Sequence, residues 1–128
     1  MDIKTLQFDF DSFTNNQNSK GRLICLVQVF IAGAVILKRV RVVWMPSGVV
    51  AVKPPSHIDK ETRQIDDLIY FPNKKDDMEM KSKILEDLEA ELEKRGNKDQ
   101  ASAVRFSRRL MSDCGFRQNN NANLGEQY

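Results

Sequence analysis

The fold is decided by residues 21–53, GRLICLVQVFIAGAVILKRVRVVWMPSGVVAVK. Residues 22–30 and 35–44 are rich in Val, Ile and Leu, which favour β-strands. The short link Ile31-Ala32-Gly33-Ala34 between them is typical of the connection in a long antiparallel hairpin. We expect these two strands to form the centre of a sheet.

Shorter predicted strands flank this hairpin on both sides. Residues 3–10 are expected to form a first strand, and the polar segment 14–20 predicts a loop. Residues 49–53 predict a strand that ends at Pro54-Pro55, because proline cannot donate a hydrogen bond to a neighbouring strand. Residues 64–71 predict a last strand. The sequence therefore predicts a small antiparallel β-sheet of about five strands.

The pattern changes from strand to helix at Asp76. Apolar residues then recur about every 3.6 positions, and the other positions are mostly Glu, Asp and Lys. This apolar stripe consists of Ile84, Leu85, Leu88 and Leu92. It predicts an amphipathic helix that ends at Gly96 and that either covers the sheet or pairs with a partner helix.

The C-terminal part predicts a second helix and a tail. Residues 101–111 continue a helical pattern, whereas residues 117–128 have too few apolar groups to offset the entropy lost on ordering. We therefore predict an α+β fold in which an amphipathic C-terminal helix and a second short helix follow the sheet. Residues 1–95 are expected to form the α+β domain, residues 96–116 a helical extension, and residues 117–128 a disordered tail.

Composition and motifs argue against a membrane protein, an exported protein and an enzyme. No segment approaches the roughly 18 uncharged apolar residues of a spanning helix. Residues 1–11 lack the features of a secretory signal, so we expect a cytoplasmic protein. Cys25 and Cys114 have no metal-ligand spacing, and the single His57 lies in a turn-like segment, where an exposed loop histidine is commoner than a catalytic base. We expect no catalytic residue, no metal and no cofactor.

Positive and negative charges are separated along the chain. The net charge is only +2, but residues 38–53 contain four bases and no acid. Residues 76–95 contain eight acids and four bases. Such separation can give a nearly neutral protein one surface that attracts phosphates.

Strict alternation along the second arm of the hairpin divides its residues between two faces. One face is expected to have Val35, Leu37, Arg39 and Arg41, and the other Ile36, Lys38, Val40, Val42 and Trp44. The face with Arg39 and Arg41 is then apolar at its start and basic at its end.

Several segments resemble the SpoVG (stage V sporulation protein G) family. The stretch GRLICLVQVFIAGAVILKRVRVV is similar to that family's Gly-Arg-led hairpin. SGVVAVKPPS resembles its Ser-Gly strand with a Met-Pro-Ser stop, and ETRQI resembles its Glu-x-Arg-Asp-Ile element. Arg41 and Arg63 fall on arginines of the family. The resemblance covers residues 1–95, and residues 96–128 lie outside it.

The resemblance implies a sheet with a C-terminal helix, dimers formed by joining sheets, and site-selective binding of DNA, with RNA as a further ligand. The chain departs from the family after the proline stop. Where the family has a Lys-Arg pair, this chain has Ser56-His57-Ile58-Asp59-Lys60. The loss of positive charge there shifts the expected interface to the sheet and the tail.

The cations expected to contact phosphate form two groups. The strand and loop group consists of Arg39, Arg41, Lys53, Lys60 and Arg63, which can bind phosphate oxygens and displace counterions. Alternatively, Arg39 and Arg41 only solvate the sheet or pair with acids of the helix. The helical group consists of Arg105, Arg108 and Arg109, and its alternative is a solvated helix face.

Three aromatic residues near predicted strand ends also have two interpretations. Trp44, Tyr70 and Phe71 either stack on unpaired bases or close the sheet edge by packing into the core. Packing is the commoner role of such residues.

These observations lead to one main hypothesis and one rival. The chain is expected to be a nucleic-acid-binding regulatory protein of SpoVG type, a homodimer that contacts DNA or RNA phosphates through basic strand and loop residues. The rival is a protein-interaction adaptor, of phage or mobile-element type, that binds a protein partner at an exposed sheet edge. A small nuclease or other enzyme is disfavoured because no catalytic motif is present.

Overall fold

A computed structural model describes residues 2–10, 17–18, 21–67 and 69–120 of the chain. The strands are β1 (Ile3–Asp9), β2 (Gln17–Asn18), β3 (Gly21–Ile31), β4 (Val35–Trp44), β5 (Val50–Lys53), β6 (Ser56–Ile58) and β7 (Ile65–Asp67). The helices are α1 (Lys74–Lys94) and α2 (Lys98–Asn120). The predicted α+β fold, with an antiparallel sheet ahead of the helices, is confirmed.

The main sheet is antiparallel and has five strands. β1, β3, β4 and β5 are hydrogen-bonded in that order, and β2 pairs with the first residues of β3. β6 and β7 pair with each other as a separate two-stranded ribbon. We call residues 56–67, which comprise β6, β7 and the turn between them, the ribbon.

The last predicted strand does not belong to the main sheet. Within residues 64–71 only Ile65–Asp67 is a strand, and it pairs with β6. The chain reverses at the turn where the Arg63 N–H donates to the Asp59 carbonyl at 2.8 Å, so β6 is the nearest partner for the returning segment.

The fifth strand of the main sheet is the short β2. It lies inside the predicted loop 14–20, and residues 14–16 and 19–20 of that loop are outside the described residues. Its two residues pair with Gly21 and Arg22 at the start of β3. The predicted number of strands is therefore correct, although the fifth strand comes from a different segment.

The hairpin of β3 and β4 reverses at residues 32–34. Ala32 and Gly33 have φ angles of 55° and 66°, and the Ala34 N–H donates to the Ile31 carbonyl at 3.0 Å. Two successive left-handed residues suit the right-handed twist of the flanking strands. The predicted link is therefore a tight turn.

The helices cover one face of the sheet, which we call the helix face. Its buried residues include Val27, Val29, Val40, Val42, Val50 and Val52. The buried stripe of α1 consists of Met80, Ile84, Leu85, Leu88 and Leu92 and belongs to the same core. Burial of one such aliphatic side chain stabilises the fold by roughly 1.5–3 kcal/mol. The apolar stripe predicted from the sequence therefore packs on the sheet.

Both ends of α1 have favourable capping residues. The Asn73 side chain accepts a hydrogen bond from the Lys75 N–H at 2.9 Å, and Asp76 and Asp77 lie in the first turn, where negative charge is favourable. Gly96 has a φ of 80°, which glycine adopts without strain. The helix therefore ends where the sequence predicts.

The second helix is longer than predicted and packs on both α1 and β5. It begins at Lys98 and continues to Asn120 rather than spanning residues 101–111. Its Ala101 and Val104 are buried in the core. The backbone of residues 117–120 is helical, and residues 121–128 of the predicted tail lie outside the described residues. None of the described helices is long and apolar enough to cross a membrane.

Candidate nucleic-acid interface

The main sheet has a second face, which we call the open face because the helices lie on the opposite side. Its strand residues are Lys4, Gln7, Asp9, Leu23, Leu26, Gln28, Phe30, Ile36, Lys38, Arg39, Arg41, Val43, Ala51 and Lys53, as strand register and burial show. In one register row, Asp9 lies opposite Leu26, Leu26 opposite Arg41, and Arg41 opposite Lys53. The neighbouring rows of β3, β4 and β5 contain the buried valines of the helix face. The open face thus has five cations and one acid.

A β-bulge places two adjacent cations on the open face. Val40 pairs with Val27 and Leu37 pairs with Val29, so Lys38 and Arg39 together oppose the single residue Gln28. Both cations are exposed, and Arg39 has a φ of 62°. Bulged residues bend the strand and re-aim its side chains.

Because of the bulge, the strict alternation expected for this strand is wrong for part of it. Leu37 is buried on the helix face and not beside Arg39, and Lys38 is exposed rather than grouped with the buried Val40. Arg39 and Arg41 do share a face, as predicted. The extra residue shifts the phase of the side chains between Leu37 and Val40.

Arg41 connects the open face to the base of the ribbon. It is half-buried, and its Nη2 donates hydrogen bonds to the Pro54 carbonyl at 3.3 Å and to Ser56 Oγ at 3.0 Å. These bonds use one of the three guanidinium nitrogens, so the group is held in place with further N–H donors still available. Its cross-strand neighbour Lys53 lies about 5 Å away between Cα atoms.

The other open-face cations of β4 and β5 have no carboxylate partner among the residues that the structure describes. No ion pair within 4.0 Å involves Lys38, Arg39 or Lys53. Asp9, the acid of this face, lies two strands from Arg41 in the same row, about 10 Å at ordinary strand spacing. The local field on the β4 and β5 side of the face is therefore positive.

Lys60 and Arg63 lie at the tip of the ribbon and not with the cations of the open face. Both are exposed, but the ribbon contains four acids against these two bases. The Glu61 N–H donates to the Asp59 carboxylate at 2.9 Å and lowers the pKa of Asp59 below its usual value, which favours the charged form of this acid. The ribbon is thus less suited to phosphate than the sheet.

The helical group of cations divides into paired and unpaired residues. Arg108 Nη1 lies 2.9 Å from the Glu89 carboxylate, and Arg105 contacts both Glu89, at 3.3 Å, and Glu93. These ion pairs join α2 to α1. Arg109 is exposed and forms no ion pair with the described residues. The acids of α1 are therefore neutralised in part by α2, away from the open face.

The aromatic residues singled out from the sequence are not part of the open face. Trp44 and Phe71 pack against the core, and Trp44 Nε1 donates to the Gly48 carbonyl at 3.2 Å. Tyr70 is 81% exposed in the segment that precedes α1. Among the described residues, Phe30 is an aromatic residue on the open face, where it lies in register with Lys4 and Ile36.

The described residues form no candidate metal centre. They include no group of three His, Cys, Asp or Glu residues that could hold a metal ion. His57 is exposed on the ribbon. Cys25 is fully buried, and burial raises the pKa of its thiol to about 12, which keeps it protonated and unreactive near neutral pH.

Comparisons with protein-family models, with curated proteins and with solved structures found no match to this chain.

Proposed function

We propose that this chain is a non-enzymatic, nucleic-acid-binding regulatory protein of SpoVG type, which acts in the cytoplasm and contacts the phosphates of DNA or RNA. The observation that supports this proposal is the group of cations on the open face at β4 and β5. Lys38, Arg39 and Lys53 have no described acid partner, and Arg41 is held beside them. Unpaired cations on an accessible surface gain free energy by displacing the counterions of a polyanion.

The position of the acids also supports this use of the sheet. Most acids of α1 lie on the helical side of the molecule, where Glu89 and Glu93 bind arginines of α2. They therefore do not neutralise the open-face cations, which was the alternative interpretation of Arg39 and Arg41. A phosphate chain approaching the open face meets a positive surface first.

The resemblance to SpoVG gives a second line of support. Arg41 falls on an arginine of that family, and here it fixes the base of the ribbon through Ser56. The chain lacks the family's Lys-Arg pair after the proline stop, and its ribbon is net acidic. We therefore propose that the open face, and not the ribbon tip, makes the main phosphate contacts.

We also propose that the protein is a homodimer joined through sheet edges. Among the described strands, β1 and β5 each pair on one side only. The outer side of an edge strand such as β1 can pair with the backbone of a second copy. Light scattering should then give twice the chain mass of 14.7 kDa.

The phosphate contacts are tested by removing two unpaired cations. The variant Arg39→Gln with Lys53→Gln is compared with Lys74→Gln and Lys75→Gln, which removes two exposed charges from the start of α1. Titration of labelled DNA and RNA at several salt concentrations should show about tenfold weaker binding for the sheet variant. The slope of log K against log salt should fall by about 2.

The control variant should bind as the unmodified chain does. Equal losses in both variants would mean that binding depends on overall charge and not on the open face. Failure of the unmodified protein to bind DNA or RNA at low salt would refute the proposed function.

The adaptor function is the second candidate, and exposed apolar residues of the main sheet favour it. Leu6 on β1 is 45% exposed, and Val35 at the hairpin tip is 52% exposed. A protein strand that adds to β1 would cover Leu6. An adaptor would keep its partner after nuclease treatment, whereas a nucleic-acid-binding protein would lose any partner held through the nucleic acid.

A further inference from the structure

We infer that the open face selects single-stranded nucleic acid over duplex, an inference that rests on the proposed nucleic-acid binding. The open face is not uniformly basic. Its β3 column contains Leu23, Leu26, Gln28 and Phe30 and has no charge, whereas the adjacent β4 and β5 columns contain its four clustered cations. Two surfaces of different chemistry therefore run side by side along the strands.

The uncharged column is suited to the bases of a single strand. Phe30 is half-buried and lies in register with Ile36, which is 49% exposed, so a ring and an aliphatic side chain form one apolar platform. Unpaired bases pack on such side chains and gain about 1–3 kcal/mol for each stacked base. Gln28 lies between this platform and Leu26, and its amide can both donate to and accept from the edge of a base.

The charged columns are suited to the phosphates of the same strand. Arg41 lies opposite Leu26, and Lys38 and Arg39 lie opposite Gln28, each about 5 Å away across the sheet. A chain that runs parallel to β3 can thus place its bases over β3 and its phosphates over β4 and β5. The bases of a duplex are stacked on one another, so a duplex could contact the cations but could not pack its bases on the uncharged column.

The same charges argue against a second copy of this chain on the open face. A two-fold interface over this face would bring the clustered cations of both copies, including Arg41 and Lys53, into one contact area, where like charges repel. The uncharged column and the cations beside it therefore favour a ligand that is anionic and has flat apolar groups. Single-stranded nucleic acid has both properties.

The inference is tested with a single strand of DNA, the RNA of the same sequence, and the corresponding DNA duplex at one salt concentration. We expect at least one of the single strands to bind about tenfold or more tightly than the duplex. The variant Phe30→Leu with Ile36→Ser removes the aromatic ring and the Ile36 side chain from the platform. It should weaken single-strand binding by about tenfold and leave duplex binding unchanged.

Val35→Ser is the matched control for this variant. Val35 is as exposed as Ile36 and adjacent to it, but it pairs with Ile31 on the other face. It should leave the binding of all three nucleic acids unchanged. Thermal melting checks that each variant is folded, and the single variant Ile36→Ser replaces the double variant if the latter does not fold.

The possible outcomes separate this inference from the proposed function. Equal or tighter binding of the duplex by the unmodified protein would overturn the single-strand inference and leave nucleic-acid binding intact. Equal effects of the platform variant and Val35→Ser would also overturn it. Absence of binding to all three nucleic acids would overturn both, and binding of an acidic peptide in their place would favour the adaptor.

Discussion

At the scale of single residues, the fold strongly changes the chemistry of the Cys25 side chain. It is fully buried on the helix face of β3 and belongs to the core that the helices cover. Burial is the main cause that raises the pKa of its thiol from 9.0 to about 12. The charge of Asp9 raises it further, and Arg95 opposes both. The thiolate is thus excluded from the native protein over a wide pH range.

This raised pKa predicts a loss of stability in alkaline solution. Below pH 9 the thiol is protonated in both states, and its contribution to stability is constant. Between pH 9 and about 12 the unfolded chain releases the proton and the folded chain keeps it, so the free energy of unfolding decreases as pH rises. Three pKa units correspond to about 4 kcal/mol. Urea unfolding of a Cys114→Ser chain, measured from pH 8 to 11, would show the decrease.

The control for this prediction is Cys25→Ala in the same background. It should be less stable at pH 8, because it leaves a small cavity, but its stability should fall less steeply above pH 9. If both chains lose stability in parallel, other groups cause the alkaline effect and the thiol does not.

Local sequence patterns predicted some residue environments and missed others for a physical reason. Alternation correctly placed Arg39 and Arg41 on one face, because the strand is regular from Arg39 to Arg41 and side chains alternate along a regular strand. It could not predict that Arg41 binds Ser56, since that hydrogen bond joins positions 15 residues apart. The pairing of Arg105 with Glu89 was missed for the same reason, because it depends on how two helices pack.

At the scale of secondary-structure elements, β4 and α2 show the limits of local patterns most clearly. β4 was predicted with its correct bounds, but its bulge was not, because Lys38-Arg39 contains no glycine or proline to indicate a break in the ladder. The length of α2 was underestimated because residues 112–120 are mostly polar.

Ser107 attaches α2 to the sheet and provides an element-scale prediction. Its side chain is 3% exposed, accepts a hydrogen bond from the Val50 N–H at 2.7 Å, and donates to the Ala103 carbonyl at 2.8 Å. Ser107→Ala leaves the buried Val50 N–H at the start of β5 without its partner. We expect a loss of about 1–3 kcal/mol in the free energy of unfolding, measured by urea denaturation.

Ser102→Ala is the matched control on the exposed side of the same helix. It should change stability by less than about 0.5 kcal/mol. Amide hydrogen exchange at Val50 should also be faster in Ser107→Ala and unchanged in Ser102→Ala. Similar stability for the two variants would mean that water replaces the serine at β5 without cost.

At the scale of the whole molecule, the helices stabilise one face of the sheet and leave the other face accessible. The buried residues of the sheet, of α1 and of α2 form one core on the helix face. On that side, Arg105 and Arg108 form ion pairs with Glu89, and Arg105 also pairs with Glu93. Separation of charge along the sequence thus becomes separation of charge between two sides of the fold.

This arrangement predicts that the region after Gly96 is required for full stability, although the resemblance to SpoVG ends before it. A chain that ends at Gly96 loses Ala101 and Val104 from the core and leaves the Val50 N–H without Ser107. The lost burial and hydrogen bond together cost about 4 kcal/mol or more. The melting temperature, followed by circular dichroism, should therefore fall by about 10 °C or more. A chain that ends at Ser112 retains these contacts and should melt close to the full-length chain.

If the chain ending at Gly96 melts cooperatively at the full-length temperature, α2 contributes nothing to the fold, and Arg105, Arg108 and Arg109 are then better explained by binding. If it unfolds, only point variants such as Arg109→Gln can test whether the helix contacts nucleic acid, because a truncated chain would lose binding together with its structure.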